Sequence, residues 1–123
     1  MIGVVIDTKG IVYRAELSKP LYRSAGAIVD GGIEIVRPRG LKPPYCFIAS
    51  DTGRLDGLPI NLVGSWLYHT FEHGNPICGN IIIMKEVGPD LVGLEGNELK
   101  AIIAEMRRIS RLFTEEEHNG DQE

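Results

Sequence analysis

Residues 45–61 read YCFIASDTGRLDGLPIN, and this stretch sets the architecture. An apolar, strand-like run from Tyr45 to Ala49 breaks into an Asp51-Thr52-Gly53 turn and reaches Leu58-Pro59-Ile60-Asn61. Upstream, Ile33 to Val36 reads as a strand, joined to Tyr45 by a loop from Arg37 to Pro44. The three prolines of that loop exclude it from a helix or a sheet interior. Downstream, Asn61 is a candidate N-cap for a helix running to His73, with Leu62, Val63, Trp66, Leu67 and Phe71 as its apolar face and Gly74 as its stop.

The flanks repeat the alternation. Ile2 to Asp7 and Ile11 to Leu17 are rich in β-branched residues and are separated by Thr8-Lys9-Gly10, which predicts a hairpin. Ser18 reads as an N-cap with Pro20 in the first turn of a short helix that must stop by Gly31 and Gly32. Asn80 to Lys85 is a continuous apolar strand, paired across Gly88-Pro89-Asp90 with a shorter one from Leu91 to Leu94. From Glu98 to Phe113, Leu99, Ile102, Ile103, Met106, Ile109 and Phe113 recur at helical spacing, with Asn97 as the expected N-cap and Glu105 placed to pair with Arg108. These elements predict one α+β domain over residues 1–113, its largely antiparallel sheet packed on one side by helices and closed by a long C-terminal helix. Residues 114–123 read as an acidic, flexible tail.

The order of elements and a few anchors resemble a small, uncharacterised domain family carried by phages and conjugative elements of Gram-positive bacteria. The matching residues are Asp51, Gly53, Gly57, Leu58, Pro59 and Asn61, followed by Gly79, Asn80 and the run Ile81 to Met84. The resemblance spans Val4 to about Ile103 and implies a protein of a mobile element. It implies no settled activity.

Composition narrows the possibilities. The chain has 123 residues and a net charge of −4, but Glu115, Glu116, Glu117, Asp121 and Glu123 supply five of its seventeen acids. The remainder holds twelve acids against thirteen bases, without the basic excess that general nucleic-acid binding requires. Local clusters at Arg37, Arg39 and Lys42, and at Arg107, Arg108 and Arg111, read first as solvated faces. The apolar N-terminal run has no basic region ahead of it and meets Asp7 at once, so neither a signal peptide nor a membrane span is expected. The expected location is the cytoplasm, where Cys46 and Cys78 stay free and partly buried.

His69-Thr70-Phe71-Glu72-His73 fits the H-x-x-E-H pattern of inverted zinc metallopeptidases, in which two histidines one turn apart bind zinc and the Glu activates water. Gly74, Asn75 and Pro76 end that helix immediately, and about fifty residues remain downstream, too few for such a domain. A zinc site using His69, His73 and Cys78 is an alternative that needs no peptidase domain. Histidines in a final helical turn also meet the helix carbonyls without any metal. Acyl transfer, phosphoryl transfer and dinucleotide chemistry lack their sequence supports, no cofactor is implied, and thiols in apolar runs are inert.

The strongest binding candidate is the Asp51–Asn61 turn with Gly79 and Asn80. Asp51 can form an Asx turn, and Gly53 and Gly57 can take positive φ, so hairpin and cap chemistry explains the turn by itself. The functional reading makes Arg54 an anion-binding fork, gives Asn61 and Asn80 paired donors and acceptors for a ligand or a partner backbone, and adds Tyr45, Trp66 and Tyr68 as a stacking face. Trp66 fits a buried stripe better than an open platform. Three classes of function follow. The first is a non-enzymatic binding protein acting on a host component, by sequestering a nucleotide-like molecule at a homo-oligomer interface or by blocking a host protein through an exposed apolar patch with a polar rim. The second is an accessory domain for replication or conjugation proteins, contacting them through Arg107 to Arg111. The third is a small zinc hydrolase.

Overall fold

The computed structural model describes residues 1–121, with side chains described as far as Phe113. The elements follow in the order β1 (Ile2–Ile6), β2 (Val12–Glu16), α1 (Leu21–Val29), β3 (Ile33–Val36), β4 (Tyr45–Ser50), α2 (Leu62–Leu67), α3 (Thr70–His73), β5 (Ile81–Val87), β6 (Asp90–Val92) and α4 (Gly96–Asp121). The strands form one antiparallel sheet in the order β2-β1-β5-β4-β3, and β6 extends it by pairing with the second half of β5. The expected α+β fold with a long C-terminal helix is therefore present. The expectation of a tail over residues 114–123 falls outside the residues whose side chains are described.

The first hairpin closes through Asp7. Its carboxylate accepts the N–H groups of Lys9 and Ile11, each at 2.9 Å. Gly10 takes φ +85°, a conformation that suits glycine at this position of the turn. The Asx geometry expected at Asp51 is thus found at Asp7 instead. In the 51–58 loop the bracing bond runs from the Thr52 hydroxyl to the Asp56 carboxylate at 2.8 Å.

Helices cover both faces of the sheet, not one. Continuous burial along β4 and β5 is the cause, because a strand apolar on both sides must be covered on both sides. Ile81, Ile83, Phe47, Ala49, Val4 and Ile6 join the core beneath α2 and α4, while Ile82, Met84, Cys46, Ile48 and Val5 join a second core beneath α1.

Three helix boundaries move. The start of α1 shifts to a Pro20 cap with no side-chain hydrogen bond, and the helix ends at Asp30 in the left-handed region, with the Asp30 and Gly31 N–H groups both returning to the Gly26 carbonyl. The expected helix from Asn61 to His73 is broken: α2 stops at Leu67, His69 takes φ +58°, and the single turn α3 follows. At the other end, α4 begins at Gly96, so Asn97 lies inside it and not at its cap.

Candidate functional site

The residues that carry the family likeness brace the fold. Pro59 accepts the Gly79 N–H at 2.8 Å, Ile60 bridges Cys78, and the Asn61 N–H donates to the Ile77 carbonyl at 2.8 Å. The Asn61 side chain is fully buried. Its Oδ1 accepts from Gly64 N–H at 2.9 Å, which makes the expected N-cap, and its Nδ2 donates to the carbonyls of Ile6 at 2.9 Å and Gly79 at 3.0 Å. Every polar atom of that side chain has a protein partner, so nothing is left to present to a ligand. Asn80 works similarly: its Oδ1 accepts from Thr8 N–H at 3.1 Å and its Nδ2 donates to Ile28 at 3.0 Å, tying the first hairpin to the end of α1. Gly53 has no positive φ. Glycine is required there because an added Cβ would sit 2.6 Å from the Cys78 carbonyl oxygen.

The other expected binding residues do not converge. Arg54 is exposed and reaches Asn75 Oδ1 at 3.4 Å, beside a cleft of about 120 Å³ lined by Glu34, Ser50, Asp51, Arg54 and Cys78. Asp51 folds over Gly32, where an added Cβ would meet its carboxylate at 2.6 Å. Tyr45 stands at the opposite end of β4, about 17 Å away at ~3.4 Å per residue. Its hydroxyl donates to Glu98 at 2.7 Å, and Lys85 Nζ reaches the same carboxylate at 3.1 Å. The Tyr45 hydrogen bond, with help from Lys85, holds the Glu98 carboxyl below its ordinary range, and the same bond pushes the Tyr45 phenol up.

The H-x-x-E-H residues also fail to form a shared face. Both ring nitrogens of His73 are engaged by backbone, Nε2 with the Tyr68 carbonyl and Nδ1 with the Asn75 N–H, each at 3.1 Å. His69 sits at the helix break, its Nδ1 3.3 Å from Glu72 Oε1 but not aligned for a hydrogen bond. Among the described residues, no group of three or more His, Cys, Asp or Glu side chains is arranged to hold a metal ion. Cys46 and Cys78 are free, and burial pushes the Cys46 thiol up to about 11, as a nucleophile should not be.

The structure brings together a different set. On α2, Val63 and Leu67 turn inward, whereas Leu62 and Trp66, one helical turn apart, turn outward. Trp66 is 49% exposed and Phe71 67% exposed, with ring centroids 5.6 Å apart, and Phe113 of α4 meets Trp66 edge-on at 6.3 Å. His69 stacks against Phe71 at 5.0 Å. Leu62 and Phe113 also line an adjoining hollow of about 360 Å³, which includes Ile60, Asp7, Thr8, Lys9 and Gly10. Glu72, next to Phe71 in sequence, pairs with Arg39 of the β3–β4 loop at 2.9 Å and brings charge beside the aromatic group. The available signal was the excess of apolar residues on α2: Leu62, Val63, Trp66 and Leu67 are too many for one buried stripe in a six-residue helix, so two faces result.

The chain belongs to the family described as Domain of unknown function (DUF3846), whose model matches residues 1–107. No curated protein and no solved structure matches it. No helix among the described residues is long and apolar enough to cross a membrane.

Proposed function

We propose that this chain is a non-enzymatic binding protein that docks a protein partner on the Leu62-Trp66-Phe71-Phe113 face. The observation that carries the reading is the half-exposed Trp66 in contact with two further aromatic rings. Large apolar side chains left in contact with water on a monomer mark interaction surfaces, and Trp is the residue most enriched in the buried centre of such contacts. The hollow beside Leu62 and Phe113, apolar at Ile60 and Val63 and polar at Asp7, Thr8 and Lys9, suits a protruding side chain with an apolar body and a polar tip.

In this reading the protein is encoded by a mobile element and acts on a host protein in the cytoplasm, as the anchors shared with phage and conjugative-element domains suggest. Sequestration of a nucleotide-like ligand has less support, because the aromatic rings and Arg54 do not share one pocket. The test is affinity purification from host cells with the parent protein and with Trp66→Ala/Phe71→Ala. The reading expects one stoichiometric partner retained by the parent and lost from the folded double variant. Equal recovery with both proteins overturns it.

A further inference from the structure

A second surface lies where α4 crosses the open edge of the sheet. Among the described residues, no strand pairs with β2 on its outer side. The Leu17 N–H donates to Met1 and the Asp7 N–H to Ile11, so the odd-numbered residues of β2 bond inward to β1. The N–H and C=O groups of Val12, Arg14 and Glu16 consequently turn outward. Arg107 Nη2 takes the Val12 carbonyl at 3.2 Å, which leaves Arg14 and Glu16 as the open part of the edge.

Among the described residues, the charges beside this edge are uncompensated. Arg14 pairs with Val4 across the ladder, and Val4 lies in the core beneath α4, so the Arg14 side chain stands on the α4 face. There it shares a groove of about 380 Å³ with Lys100, Ala104 and Arg107, which lie on one stripe of α4 above the buried Ile103. The small Ala104 keeps the space between the two cations open. No carboxylate lines the groove. Elsewhere Arg37, Arg39, Lys85 and Arg108 each hold a glutamate, whereas Arg14, Lys100 and Arg107 form no ion pair among the described residues.

We infer that this edge takes an acidic segment of a partner in extended conformation, added as a further strand along Arg14 and Glu16. Its backbone pairs with the outward groups of those two residues, and its alternate carboxylates lie over Arg14, Lys100 and Arg107. Glu16 does not oppose this, because its carboxylate is held by the Met1 amino group at 2.9 Å. Nucleic acid fits less well. Tyr13 also lines the groove and is 40% exposed, but a phosphate chain carries no donor for the outward carbonyls of Arg14 and Glu16, which an added strand satisfies. The surface is separate from the aromatic face and does not depend on the function proposed for it.

The test titrates the full chain with a fluorescent ten-residue peptide alternating Glu and Thr, and with a single-stranded DNA 20-mer, at low and high salt. Amide exchange is followed by NMR. The inference expects peptide binding that weakens with salt, falls at least tenfold in Lys100→Glu and again in Arg14→Glu, and slows exchange of the Arg14 and Glu16 amides. Lys100 is exposed and makes no hydrogen bond, so its reversal leaves the fold intact. Peptide binding that ignores both reversals, unprotected amides at Arg14 and Glu16, or DNA binding as tight as the peptide's, overturns the inference.

Discussion

The Asn61 side chain donates to the Ile6 carbonyl at 2.9 Å, joining the start of α2 to the end of β1 across 55 residues of chain. The same amide holds Gly79 and caps Gly64, so one buried side chain fixes three segments. Asn61→Ala removes a helix cap, at about 1 kcal/mol, and leaves two buried carbonyls unpaired, at about 1–3 kcal/mol each. The expected loss by urea denaturation is about 3–7 kcal/mol. Arg54→Ala, on the exposed loop, should stay within about 0.5 kcal/mol.

The two faces of α2 should respond oppositely to truncation. Leu67 is 2% exposed, and Leu67→Ala is expected to cost about 2–5 kcal/mol. Trp66→Ala removes a larger side chain but should cost only about 2 kcal/mol, well below a fully buried Trp, since half of that side chain already meets water. Trp66 is the chain's single tryptophan. Its fluorescence in the native protein should therefore be quenched readily by acrylamide, and shielding comparable to a core residue would contradict the exposed face.

Acid should weaken the junction of β4, β5 and α4. The Glu98 carboxyl is depressed below 4.5, first by the Tyr45 hydroxyl and then by Lys85. A depressed carboxyl contributes stability that is present above its unfolded value and lost as pH falls through its folded value. The expected outcome is a stability profile that declines below about pH 4.5 in the parent and less steeply in Glu98→Gln. The raised Tyr45 phenol acts at the other end, its contribution fully present below the ordinary value of 10.0 and lost as pH rises through the folded value. Urea midpoints collected across pH check both signs.

The two thiols should differ in reactivity. Cys46 is buried with its pKa pushed up to about 11, whereas Cys78 is only half-buried. A thiol reagent at pH 8 should modify Cys78 alone in the native protein and both residues in urea, as mass spectrometry of the labelled chain would read. Native-state labelling of Cys46 would contradict the core beneath α1.

Strands and the first hairpin were legible because β-branched runs and turn residues act locally. The family anchors were legible as a cluster, but their purpose was not, because the partners of Asn61 and Asn80 lie far away in sequence, at Ile6, Gly79, Thr8 and Ile28. The break at His69 escaped helical periodicity, since Phe71 kept the spacing while the backbone turned left-handed two residues before it. Trp66 was read inward for the same reason. Periodicity groups apolar residues into a stripe and does not say how wide a stripe the sheet can cover. Six residues of α2 bury Val63 and Leu67 and leave Leu62 and Trp66 in water.

The most direct test of the aromatic face is photo-crosslinking in host cells, with benzoylphenylalanine replacing Trp66 in one protein and the equally exposed Val87, at the β5–β6 turn, in another. The account predicts one discrete adduct with a host protein from position 66 and none from position 87. No adduct at 66, an adduct only with a second copy of the chain, or the same adducts from both positions would contradict it.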